Sequence, residues 1–340
     1  VAHSQINPLL IQMLTGKDAG ESPTRSALPG AYVRKIFQKR NQLSPIYEVN
    51  HHMLTCKSCG RKGKYDVGIL SVNSEEVVKD GDTQKHTQMT GYFRCKHCNE
   101  AGNWELPNSI LMCIIAGTLP ALGGSDPSSN IFFGKNQLFD GTSHQYATDA
   151  EEHLLQLLKE RPDDAYIWNR LGNLYQKGNR PELGVSVFEH SVRLDPKQVE
   201  SHYTLGMMLT QIEDLPNAGY HFRQMLLHAK EYKKLPAEDL RDLLAIGLSE
   251  LFVMSHRTDG EIPIFPTPEE LAASAQQETQ PGTLVDMEME LVPGDVETFY
   301  PLAEIFMGLR AKEIPLRKRT FNVPKASKAP VKKKKRKRRK

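Results

Sequence analysis

The chain has 340 residues, 39% of them hydrophobic and 25% charged, which is enough for two or three domains with a core each. Its net charge of +3 joins an acidic body to a basic end: residues 316–340 hold fourteen Lys or Arg and no acid, leaving −11 on the rest. The longest apolar run, Ile110 to Ala116, is far short of the roughly 20 residues of a membrane span, and the first residues lack a secretory pattern. The five cysteines are therefore expected reduced or metal-bound, in a cytoplasmic protein.

Residues 1–52 read as a helical lead-in, with apolar stretches at Pro8 to Leu14 and Ala31 to Phe37. Residues 53–107 carry two cysteine pairs and strand-like runs at Tyr65 to Val72, Met89 to Arg94 and Trp104 to Leu106, with a turn at Lys79-Asp80-Gly81-Asp82. The pairs are Cys56-Lys57-Ser58-Cys59 and Cys95-Lys96-His97-Cys98. Two residues between cysteines let both thiolates aim at one centre. Two such turns close a tetrahedron of Cys56, Cys59, Cys95 and Cys98, a set suited to one structural zinc ion. Gly60 follows the first pair, where the turn needs positive φ.

The same cysteines could instead form two disulfides in an oxidising compartment, or serve as redox pairs, although a redox Cys-x-x-Cys normally comes singly. His51, His52 and His97 lie outside a shell that four thiolates already close, and Cys113 reads as a small buried hydrophobe. Over residues 53–107 the pattern resembles a zinc ribbon, two knuckles on a small antiparallel sheet. The 35 residues between the pairs exceed the usual spacing.

Residues 108–147 hold a short buried helix (108–118) and a linker in which Ile131, Phe132, Phe133 and Phe139 are expected to pack. Helical periodicity sets in at 148, with Thr148 and Glu151 fitting a capping box, and runs to about 256. Two units align without gaps at a period of 34: Leu171 with Leu205, Gly172 with Gly206, Gly184 with Ala218, and Phe188 with Phe222. Ala150 and Pro162 precede Gly184 and Pro196 by the same step, which marks a half unit. Small residues at Gly172 and Gly184 let paired helices approach, Trp168, Tyr175 and Phe188 fill the gaps, and Pro196 stops the second helix. The first unit contains Trp168-x-x-Leu171-Gly172-x-x-Tyr175, and the array resembles the tetratricopeptide repeat over roughly 148–232. The second unit departs from it at His202, Leu209 and Lys230.

The resemblance implies a concave groove for a protein partner, lined by Tyr166, Asn169, Asn173 and Lys177, then Tyr203, Met207 and Gln211. The alternative is that this face packs on the protein's own linker or C-terminal helix. One subclass of the family grips a peptide carboxylate with Lys and Asn. Asn173 matches that pattern, but Asn169 stands where the Lys is needed.

Residues 257–282 read as a linker, and 283–312 as a strand from Val285 to Leu291, a turn and a helix from Phe299 to Leu309. Residues 313–340 read as a disordered basic tail. It ends in nine cations, Lys332, Lys333, Lys334, Lys335, Arg336, Lys337, Arg338, Arg339 and Lys340, which suit a nucleic-acid backbone or simply solubilise the chain. The fold class expected is multidomain: a small β zinc ribbon, an all-α repeat array and a disordered tail. No constellation of catalytic residues stands out. The function expected is a non-enzymatic, zinc-binding scaffold for protein–protein interaction. The alternative is a factor that contacts RNA or DNA through the tail and the ribbon.

Overall fold

The computed structural model describes residues 4–122, 130–274 and 289–321. In chain order its elements are α1 (Pro8–Thr15), α2 (Val33–Gln38), β1 (His51–Cys56), β2 (Lys62–Asp66), β3 (Leu70–Val72), α3 (Ser74–Asp80), β4 (Thr87–Met89), β5 (Trp104–Glu105), α4 (Asn108–Leu122) and β6 (Ile131–Phe133). There follow α5 (Ala147–Glu160), α6 (Ala165–Lys177), α7 (Pro181–Leu194), α8 (Val199–Gln211), α9 (Leu215–His228), α10 (Ala237–Arg257), α11 (Pro268–Ala273) and α12 (Tyr300–Met307).

The strands form two small sheets, ordered β2-β1-β5 and β4-β3-β6. The run from Tyr65 to Val72 is not one strand. Gly68, at φ 67°, breaks it, and the second half crosses to the other sheet. The turn expected at residues 79–82 begins as helix α3, which Gly81 ends in a left-handed cap. Beyond β4, Tyr92 to Arg94 leave the sheet. Within the expected linker, β6 pairs in parallel with β3, so Ile131 is buried while Phe132 stays exposed.

Helices α6 with α7 and α8 with α9 are the two 34-residue units, a repeat-like helical array. Their close approach is visible at the small residues. A Cβ on Gly172 would lie 2.5 Å from the Phe188 ring, and one on Gly206 2.7 Å from Phe222. The substitution at His202 also has a geometric reason. Trp168 Nε1–H donates to the Pro162 carbonyl (2.7 Å), and His202 Nε2 meets the Pro196 carbonyl (3.0 Å) at the equivalent place. An imidazole thus replaces the indole in the same hydrogen bond.

Two units bury a solenoid core poorly without caps, and three other segments supply the cover. α10 and α12 close one end, where the fully buried Glu304 accepts bonds from Arg241 and from the Thr320 and Phe321 N–H groups. Residues 314–321, expected as the start of the tail, are therefore folded, with Ile314 fully buried. The N-terminal segment lies along the array as a strap. Arg180 donates to the Ser4 and Gln5 carbonyls, Ser186 to that of Pro29, and Glu189 accepts from the Ala31 and Tyr32 N–H groups. Lys35 pairs with Asp214, and Ile6, Leu10 and Ile36 are fully buried in the same core as Leu171 and Phe188.

Two local expectations change. α5 starts at Ala147, and it is the Asp149 carboxylate that reaches back to the Tyr146 N–H (3.3 Å), while Thr148 and Glu151 are buried. Residues 285–288 of the expected acidic strand lie outside the described residues, and Met289 to Leu291 are not in a strand. The helix that follows is present as α12, entered through a tight turn at Val296–Phe299.

Candidate metal centre and helical groove

The two Cys turns have the same backbone plan. In each, the N–H four residues on returns to the carbonyl of the first cysteine (Gly60 to Cys56, 2.8 Å; Asn99 to Cys95, 2.9 Å). The first cysteine's own N–H reaches the carbonyl five residues on, that of Arg61 or Glu100. Gly60 (φ 69°) and Asn99 (φ 59°) take the left-handed position this plan requires. Asn99 spends its side chain on the Ile6 and Glu21 carbonyls, a role glycine could not fill.

The turns bring four sulfur atoms together, all within 4.8 Å of one another. Cys56 Sγ lies 3.8 Å from Cys98 Sγ, and Cys59 Sγ 3.7 Å from Cys95 Sγ. A tetrahedron with metal–sulfur bonds of about 2.3 Å has edges near 3.8 Å, so the cluster fits a tetrahedral thiophilic ion. Its donors are all sulfur, with Cys56 and Cys95 buried and Cys59 and Cys98 exposed.

Burial pushes the Cys98 thiol up to about 12. Burial also works to raise Cys95, but the His97 and Cys98 N–H groups and neighbouring thiols override it and bring it to about 7. Four sulfur atoms at this spacing could hold a metal ion. Tyr65, Phe93 and Trp104 pack beneath them with ring centroids 4.8 to 5.5 Å apart, and the Tyr65 hydroxyl donates to Cys95 Sγ at 3.9 Å. Cys113 packs at the edge of this cluster, half-buried.

The residue before Cys95 links this centre to the helices. Arg94 NH1 donates to Glu151 on α5 (3.1 Å), and its Nε donates to the Asn99 carbonyl (2.9 Å). Glu151 is fully buried and also accepts from Tyr92, Tyr175 and Asn7, at 2.9, 2.5 and 3.0 Å. Arg94 and Asn7 can only donate to Oε2, and two tyrosine hydroxyls meet Oε1. Burial pushes its pKa up, and Arg94 and three hydrogen bonds oppose that. The sequence had a signal for this hub. Glu151 falls on the same stripe as Leu154, Leu155 and Leu158, where an exposed capping acid does not belong.

The groove residues fare unevenly. Asn169 is fully buried and donates to Ser201 Oγ (2.8 Å), so it fastens α6 to α8 and is closed to a partner. Its placement on the open face is corrected by the small Ser201 opposite, which lets the two helices close over it. Gln211 Oε1 accepts the Ser44 N–H (2.7 Å) and is occupied by the strap. Tyr166, Asn173, Tyr203 and Met207 are half-buried along α6 and α8, and Lys177 is exposed. Arg170, which sequence reasoning passed over, pairs with Glu200 and lies over the Tyr166 ring at 4.6 Å. Phe139 of the linker stands edge-on to Tyr166 at 5.5 Å, so part of this face is met by the chain itself. Lys332 to Lys340 lie outside the described residues.

The chain is 32% identical over 91 residues to the peroxisomal targeting signal receptor of Candida albicans. That stretch is 27% of this chain and covers only 14% of the receptor. No family model matches, and no solved structure matches. Among the described residues no helix is long and apolar enough to cross a membrane.

Proposed function

We propose that this chain is a non-enzymatic scaffold of tetratricopeptide type, which holds a protein partner on α6 and α8 and carries one structural zinc ion on Cys56, Cys59, Cys95 and Cys98. The observation that carries the reading is the set of half-exposed side chains on successive first helices, Tyr166 and Asn173 on α6 and Tyr203 and Met207 on α8, with Asn173 and Met207 at equivalent places of the 34-residue repeat. The stretch shared with a peroxisomal targeting signal receptor supports the protein-binding part of this reading. Four thiolates leave a bound zinc ion no open position, which favours a structural role over hydrolysis.

Met207→Glu and Tyr203→Glu place charge in the groove and should abolish partner capture in a pull-down while the circular dichroism spectrum stays unchanged. A partner that both variants retain would remove the groove from the function. Metal analysis should find one zinc per chain, lost in Cys95→Ser.

A second reading is contact with RNA or DNA, for which the sequence alone speaks: the cations of residues 332–340, with Lys57, Arg61, Lys62 and Lys64 around the first knuckle. Nucleic-acid affinity that does not fall with salt, or that survives removal of residues 325–340 and reversal of Lys62, would exclude it.

A further inference from the structure

Three distant segments converge over the C-terminal half of α6. Ile46 comes from the end of the strap, Gln137 to Phe139 from the linker, and Asn173, Leu174 and Lys177 from the helix, enclosing a cleft of about 530 Å³. The repeats alone do not make this pocket, because two of its three walls come from outside them. Its apolar surface is open to solvent: Ile46 is 48% exposed and Phe139 40%, and Leu138 and Leu174 are half-exposed beside them.

The charges around the cleft are unbalanced. Glu200 is paired with Arg170 and Glu182 with Arg180, and Asp140 is hydrogen-bonded to His153. Lys177 is exposed and has no ion pair among the described residues. Asn173 and Gln137 add side-chain amides to the rim, groups that can meet the backbone of an extended chain.

We propose that this composite cleft is the specificity pocket of the scaffold, and that it takes a bulky apolar side chain of a partner's extended segment with an acidic residue close by in sequence. The apolar side chain fills the space between Ile46, Leu138, Phe139 and Leu174, and the carboxylate meets Lys177. From Lys177 to Tyr166 along α6 is about 16 Å at ~1.5 Å per residue, which about five extended residues span at ~3.3 Å each. The recognised element is therefore a short linear segment. This inference rests on the scaffold reading and adds the chemistry of the ligand to it.

The test pans a phage-displayed random dodecapeptide library against the full-length protein and against Lys177→Glu, Phe139→Ala and Met207→Glu. Lys177 and Phe139 are exposed, so these two variants should fold, and thermal melts check that they do. The expected result is enrichment of Asp or Glu within two positions of Leu, Ile, Met or Phe. Lys177→Glu should turn that preference towards Lys or Arg, and Phe139→Ala should weaken the best peptide about tenfold. Peptides with no acidic bias, or binding unaffected by Lys177→Glu and Phe139→Ala but lost in Met207→Glu, overturn the cleft and leave the scaffold standing. A library that yields no enriched peptide on any variant overturns both.

Discussion

His202 and His221 face each other through their Nδ1 atoms at 2.9 Å, and only one of those atoms can carry a proton. The Pro196 carbonyl needs a donor from His202 Nε2, so His202 Nδ1 is bare and accepts from His221 Nδ1–H. His221 Nε2 then accepts from the Tyr32 hydroxyl at 3.2 Å, and both rings are neutral. Burial holds the His202 pKa well below its usual value and His221 down at about 3. Between pH ~6.5 and ~3 the unfolded chain takes up protons that the folded chain refuses, so this pair's stability is complete above ~6.5 and drains away as pH falls. Glu189 works in the opposite sense. Burial raises it to about 7, so the folded chain gains protons, and stability, as pH falls towards ~4.5. The two must be separated by substitution: His221→Asn should flatten the loss of denaturant midpoint from pH 6.5 to 4.5, and an unchanged slope would rule the pair out as its source. A second residue-scale prediction concerns Gly172→Ala. Helix propensity favours alanine by ~1 kcal/mol, but the clash with Phe188 costs roughly 1–3 kcal/mol, so a net loss of stability is expected in chemical denaturation. The four cysteines were legible because chemistry and spacing coincide in a sequence. Asn169 was misplaced because the repeat gives its position on the helix and not the size of the side chain opposite.

At the scale of elements, the period of 34 located α6 to α9, since each repeat shows its own periodicity. The strap α1–α2 was only partly visible. Its two apolar stretches show as short helices, but its anchors are single side chains reaching backbone carbonyls, and such bonds leave no pattern to read. The small sheets were harder still. β6 has three residues and pairs with β3 about 60 positions away, a separation local alternation cannot reveal. The strap does what a third repeat does elsewhere in a solenoid: it gives the outer face of α7 something to pack on. Ile36→Ala should therefore cost about 2–5 kcal/mol, the range for a buried aliphatic truncation, measured as a shift in the urea midpoint of the helical signal. A shift under ~0.5 kcal/mol would mean the strap only lies on the surface.

Across the whole molecule, length and composition suggest separate parts: a cysteine-bearing sheet region and an array that share no ligand and should unfold independently. The geometry argues for coupling instead. The second knuckle holds the strap through Asn99 and the first helix of the array through Arg94, so three layers meet within five residues of one chain turn. If the sulfur cluster loses its ion, four crowded thiols relax, and the turn from Cys95 to Glu100 that positions both side chains loosens with them. Glu151 would then face a buried environment without its cation, a situation that costs roughly 3–5 kcal/mol when one partner of a buried pair is removed. Chelation under reducing conditions should therefore spread beyond the knuckles. Hydrogen exchange should quicken in α1, in the first turns of α5 and in the last turn of α6, where Tyr175 meets Glu151, while α10 and α12, joined to each other by Arg241 and Glu304, keep their protection. Arg94→Met should produce the same pattern in the array with the metal still bound, which separates the effect of the contact from that of the ion. Exchange that quickens only between residues 50 and 106, in both experiments, would show that the array stands without the knuckle.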